Sequence, residues 1–184
     1  MEVKAANTFN NGTSSSYNGG DGVPLYSTSH PLLGGGTFSN RLATVADLSE
    51  TALEDALIAI SGFVDDRGIP AMVTGQTLIL PRQLEFVAER ILGNSDRPGT
   101  ADRDINAIVK RGKLPGGTKI MRRLTSSTFW AIKTDAMDGL KHFSRKAVNT
   151  KMDGDFDTGN VRYRISGRYS FGWTDPRGTY MGST

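Results

Sequence analysis

Apolar positions recur at helical spacing in the second quarter of the chain. Leu53, Ala56, Leu57, Ile60, Phe63 and Val64 fall at i, i+3, i+4, i+7, i+10 and i+11, which places them on one face of a helix. Asp47-Leu48-Ser49-Glu50 has the form of a capping box, an acceptor side chain followed by Glu three residues on. The spacing therefore predicts a helix opened by Asp47 and ended by Gly68 and Pro70. Thr77-Leu78-Ile79-Leu80 reads as a short buried strand. Pro81 follows it at a first-turn position, and Leu84, Val87, Ala88, Ile91 and Leu92 form a second helical face stopped by Gly93. This step from strand to helix resembles an α/β unit.

The pattern then changes period. Residues 94–117 are polar, with turns at Arg97-Pro98-Gly99 and Pro115-Gly116-Gly117, and Ile105, Ile108 and Val109 suggest a short strand between them. Thr118–Leu124 and Thr128–Thr134 are expected strands around Thr125-Ser126-Ser127. Lys141–Lys151 and Asn160–Phe171 are a second pair around Asp153-Gly154-Asp155. Val161, Tyr163 and Ile165 alternate with Arg162, Arg164 and Ser166, the period of a half-buried strand. Residues 7–46, rich in Asn, Gly, Ser and Thr, have too few apolar side chains to form a core alone. An extended segment is expected there, lying over its own domain or over a neighbouring chain.

Charge adds an asymmetry that the net value of +3 conceals. Residues 1–102 carry 6 Lys/Arg against 12 Asp/Glu, whereas residues 103–168 carry 15 against 6. A solvated basic face, head-to-tail packing between copies and a surface for nucleic acid all fit this split. With no cysteine, the chain has no disulfide framework, thiolate metal site or cysteine nucleophile. No apolar run reaches the length that spans a bilayer, and the start, Met1-Glu2-Val3-Lys4, lacks the pattern of a signal peptide.

Candidate chemistry is sparse. The two histidines, His30 and His142, read as surface or hydrogen-bonded residues, and no nucleophile elbow, phosphate-binding loop or His-Glu-x-x-His motif occurs. Asp153, Asp155 and Asp157 suggest a calcium loop, but Thr158 stands where such a loop needs Gly and Arg164 where it needs Glu. A hairpin turn explains the segment better. Phe129-Trp130 sits in an apolar strand and reads as core. Tyr169, Phe171 and Trp173 alternate on one face and read as core or as interface anchors.

Residues 77–92 resemble the strand–Pro–helix segment of tailed-phage major capsid proteins, especially the Mu-type major head subunit. Three further pieces keep that family's order. They are Asp21-Gly22-Val23-Pro24-Leu25-Tyr26-Ser27 with Ser29-His30-Pro31 and Ser39-Asn40; Leu124 with Phe129-Trp130-Ala131-Ile132; and Gly172-Trp173-Thr174-Asp175-Pro176-Arg177-Gly178. The resemblance implies an α+β chain of the Hong Kong-type capsid fold. It would cover the back half of a subunit, without the N-terminal arm, extended loop and long spine helix of the family. On that analogy residues 1–46 are an extended segment, 47–70 a peripheral-domain helix, 71–127 the axial domain and 128–184 strands returning to the peripheral domain.

The implied function is structural, with no catalytic residue, cofactor or metal. The chain would be made in the bacterial cytoplasm and end in the phage head. Its partners would be other copies in pentamers and hexamers, with portal, scaffold or decoration proteins and packaged DNA as further ones, and no membrane. Arg97, Arg103, Lys110, Arg111, Arg122, Arg123, Trp173, Asp175 and Arg177 are the expected contacts between copies. A nucleic-acid-binding module using the basic strands of residues 103–168 is the alternative.

Overall fold

A computed structural model describes residues 2–93, 105–154, 157 and 159–183. The chain opens with helix α1 (Glu2–Asn10), crosses a minimal ribbon of β1 (His30–Pro31) and β2 (Thr37–Phe38), and enters helix α2 (Glu50–Ser61). Strand β3 (Gly75–Leu80), a 3-10 turn (Arg82–Leu84) and α3 (Glu85–Leu92) follow, then the one-turn helix α4 (Ala107–Lys110). The remaining strands are β4 (Thr118–Ile120), β5 (Trp130–Thr134), β6 (Leu140–Gly154), β7 (Val161–Trp173) and β8 (Thr179–Ser183).

Four strands make the central sheet in the order β4-β3-β5-β8. β3 runs parallel to β4, as the expected strand–helix unit requires, and antiparallel to β5, which pairs antiparallel with β8. Alternation along these strands sorts side chains onto two faces, and both are covered. Leu78, Leu80, Trp130, Ile132 and Tyr180 meet Leu53, Ala56 and Ile60 of α2 on one side. Ile79, Phe129, Ala131 and Met181 meet Phe9 of α1, Leu25 and Tyr26 on the other. Each fully buried large side chain here contributes roughly 1.5–3 kcal/mol. Trp130 is the largest. Its indole donates to the Ala46 carbonyl at 2.9 Å. Its ring lies so close to Gly182 that a Cβ there would stand 1.9 Å from it.

Several expectations are corrected. α1 occupies part of the segment expected to be extended, because Glu2-Val3-Lys4-Ala5-Ala6 favours helix and buries Ala6 and Phe9. α2 is capped by Ser49 rather than Asp47, and the Ser49 hydroxyl accepts from the Ala52 amide at 3.2 Å. It ends at Ser61 with Gly62 as its cap, short of Gly68 and Pro70. Ile108 and Val109 form α4 rather than a strand, because Asn106 accepts from both of their amides and starts a turn. β4 stops at Ile120, where a turn closes between Met121 and Leu124. Thr128 and Phe129 precede β5, bonded to the Ser126 hydroxyl. The turn at Arg97-Pro98-Gly99 lies outside the described residues. The central sheet draws β3 and β4 from residues 71–127 and β5 and β8 from residues 128–184.

Candidate assembly interface

β6 and β7 pair with each other alone, as a ribbon separate from the central sheet. Their register brings Thr150 opposite Ile165, Met152 opposite Tyr163 and Gly154 opposite Val161. Opposed residues share a face, and Val148 joins it, packed on Gly167. This face is apolar yet uncovered: Met152 is 65% exposed, Val161 61%, Tyr163 74% and Ile165 71%. The alternation anticipated from the sequence is present, but the half-burial expected with it is absent within the chain. The opposite face carries Lys151, Asp153, Arg162 and Arg164. Lys146 and Arg168 extend it beyond two register shifts between Ser144 and Asn149. Such bulges re-aim side chains.

At its root the apolar face is covered. Tyr169 and Phe171 pack edge to face, and His142 lies against Phe171 at 4.8 Å between ring centres. The Lys4 ammonium of α1 stands 5.3 Å from the Tyr169 ring centre. Half-buried Trp173 packs against the cluster of Phe9, Leu25 and Tyr26. The stripe of Tyr169, Phe171 and Trp173 is thus continuous with the exposed stripe toward the tip.

A polar clamp holds the residues just beyond the root. Arg177, 8% exposed, donates through Nε to the Val64 carbonyl at 2.6 Å and pairs with Asp66 at 2.7 Å and Asp175 at 3.2 Å. Asp175 also caps the 3-10 turn Pro176–Gly178 through the Arg177 amide at 2.8 Å. The guanidinium lies 4.6 Å from the Phe38 ring centre, and the His30 ring stacks on Phe38 at 4.9 Å.

His30 is fully buried. Its Nδ1 faces Asp21 at 2.6 Å and its Nε2 faces Asn40 Oδ1 at 3.1 Å. Asn40 Nδ2 donates to the Leu25 and Pro176 carbonyls, so Oδ1 is the acceptor and His30 Nε2 the donor. The sequence pieces around Asp21, His30, Asn40 and Asp175-Pro176-Arg177 thus converge on one internal lock.

The expected contact residues separate into three groups. Lys110, Arg111, Arg122 and Arg123 are exposed on the body, and Arg122 and Arg123 border a cleft with Glu2 and Lys119. Trp173, Asp175 and Arg177 engage partners inside the chain. Arg97 and Arg103 lie outside the described residues. The exposed cations of the ribbon, Lys146, Lys151, Arg164 and Arg168, were not among the expected contacts. Their signal was the alternation of Arg162, Arg164 and Ser166 with apolar residues, read above as a half-buried strand and, within residues 103–168, as part of the basic strands of the nucleic-acid alternative. Asp153 stands opposite Arg162, and Asp155 of the acidic turn lies outside the described residues. Among the described residues no helix is long and apolar enough to cross a membrane.

A family profile described as phage capsid protein matches residues 2–182. The chain belongs to this family of structural virion proteins. Among solved structures, the virus-like particle from Pyrococcus furiosus is similar with a TM-score of 0.49 and 14% identity, over 77% of this chain and 55% of that one. A structure titled Mycobacterium phage Che8 is similar with a TM-score of 0.46 and 15% identity, over 77% of this chain and 52% of that one. The chain therefore spans about half the length of these structures. No curated protein matches it in sequence.

Proposed function

We propose that the chain is a shell-building part of a tailed-phage icosahedral head, packing with other copies around the packaged DNA. The family match across residues 2–182 carries this reading. The ribbon supports it: a contiguous exposed apolar face in a soluble protein marks a surface for another polypeptide. In this reading the fold is of the Hong Kong type, with residues 47–70 and 128–184 peripheral and 71–127 axial, joined through the shared sheet.

The direction of α1 fits the long helix of that fold. Lys4 lies at Tyr169, whereas Phe9 reaches Phe129 in the body, so the N-terminal end of α1 points toward the ribbon tip.

Lys110, Arg111, Arg122 and Arg123 contribute to contacts between copies in this reading. Portal, scaffold and decoration proteins would meet the assembled shell rather than the single chain. Negative-stain electron microscopy with native mass spectrometry of the purified chain tests it. Shells, rings or sheets are expected, and a chain that stays monomeric at every concentration and salt would sink it.

A further inference from the structure

Lys146, Lys151, Arg164 and Arg168 of the ribbon's basic face are cations set close together. Lys151 stands directly opposite Arg164, and Lys146 opposite Arg168. Like charges opposed across a strand pair repel. Arg145, Lys146, Arg164 and Arg168 also border one shallow cleft beside Gly167. None of Lys146, Lys151, Arg164 and Arg168 makes an ion pair among the described residues. A surface of this kind is stable when a neighbour supplies negative charge.

The body carries the complementary surface. Residues 42–66 contain Asp47, Glu50, Glu54, Asp55, Asp65 and Asp66 and no Lys or Arg. On α2, Asp55 faces solvent beside Ile58, which is 69% exposed. Asp47, Glu54 and Asp55 make no ion pair among the described residues. The dimensions agree. The 12 residues of α2 span about 18 Å, and the run from Arg162 to Arg168 spans about 20 Å. The two surfaces belong to opposite sides of the central sheet. α2 packs on the side of Leu78 and Trp130, and the ribbon root on the side of Phe129 and Met181. Packed on opposite faces of the sheet, α2 and the ribbon root suit a contact between copies rather than within one.

We propose that the basic face of the ribbon of one copy lies along α2 of a second copy, with Lys151 and Arg164 against Glu54 and Asp55 and with Ile58 covered. The proposal rests on the reading of the chain as a self-assembling shell protein and names the surfaces that meet. Because they differ, the contact is heterologous and propagates from copy to copy until a ring or shell closes.

Mixing charge-reversed chains tests it. One full-length variant carries Lys151→Glu with Arg164→Glu, the other Glu54→Lys with Asp55→Lys. Lys151, Arg164 and Asp55 are exposed and Glu54 is half-buried, and circular dichroism with thermal melting checks that each variant folds. By sedimentation velocity, each variant alone is expected to lose at least tenfold in association constant relative to the unaltered chain. An equimolar mixture should recover most of it, because each reversed surface then meets its complement. A chain carrying all four changes should recover likewise. Loss in each variant without recovery in either the mixture or the four-change chain would overturn the pairing, as would undiminished association of either variant. Should the unaltered chain not associate at all, the shell reading fails and the pairing with it. A duplex DNA oligonucleotide added to the ribbon variant separates the rival. Lost DNA binding with unchanged self-association would assign the basic face to nucleic acid and overturn the contact with α2.

Discussion

The central sheet and the β6–β7 ribbon share one sequence device and put it to opposite use. Both alternate side chains between two faces. In the sheet α2 covers one face and α1 with Leu25 and Tyr26 covers the other, so Leu78, Trp130 and Ile132 are fully buried. In the ribbon no described residue covers the outer half, and Tyr163 stays 74% exposed. Alternation decides which residues share a face, and the neighbours a face meets decide whether it is core. The stability of this protein should therefore reside in the sheet and its association in the ribbon.

The largest effect should follow from Trp130→Ala. It empties the centre of the sheet and removes the donor to Ala46, at a cost of about 3–5 kcal/mol. Urea denaturation measures it, and a cost below about 1 kcal/mol would mean that Trp130 does not anchor the core. Arg177→Met comes next, at about 1–3 kcal/mol. It leaves the Val64 carbonyl without its donor and loosens Asp175, but keeps an apolar stem beside Phe38. The same variant should leave association unchanged once the protein is folded. Weakened association of the folded variant would instead return Arg177 to the set of contacts between copies.

A smaller effect comes from two carboxylates that fasten loops of the body. The Ile69 and Arg67 amides hold the Asp65 carboxyl below its ordinary range. Burial pushes Asp135 upward, but hydrogen bonds from the Thr74 amide and hydroxyl and from Gln76 outweigh it and leave that carboxyl low as well. A carboxylate held lower in the folded state stabilises it above the ordinary range of about 4, and that contribution is lost as pH falls below it. The melting temperature should therefore drop between pH 5 and pH 2. The Asp65→Asn, Asp135→Asn double variant should show a shallower drop, and an identical pH profile would refute the assignment.

The smallest change in stability belongs to Tyr163→Ser with Ile165→Ser on the open face, within about 0.5 kcal/mol per site. These two should nevertheless weaken association in sedimentation. A large loss of stability would show that this face is already buried in the isolated chain.

Much of the body was legible. The i, i+3, i+4 face of α2, the Leu78–Leu80 strand with its proline and helix, and Trp130 as core all follow from local period and composition. Element ends were less so. Ser49 rather than Asp47 caps α2 because backbone conformation, not residue type alone, selects the acceptor. The internal lock was visible only as scattered pieces, since Asp21, His30 and Asn40 join the turn at Pro176 through a bond from Asn40 that spans 136 positions of sequence. Apart from Trp173, the expected contact residues are all charged, and charge cannot distinguish exposed Arg122 from buried Arg177.

By itself, the sequence determined which side chains share a face, where α2, α3 and the strands of the body lie, the segregation of charge between its two parts and the resemblance to a capsid family. These depend on local periodicity and on summed charge. Only the tertiary structure decided that the sheet is covered on both sides, that Arg177 turns inward, and that the ribbon leaves the body with one apolar and one basic face. Burial is a property of what packs against a face, and in this chain those partners come from distant segments of sequence.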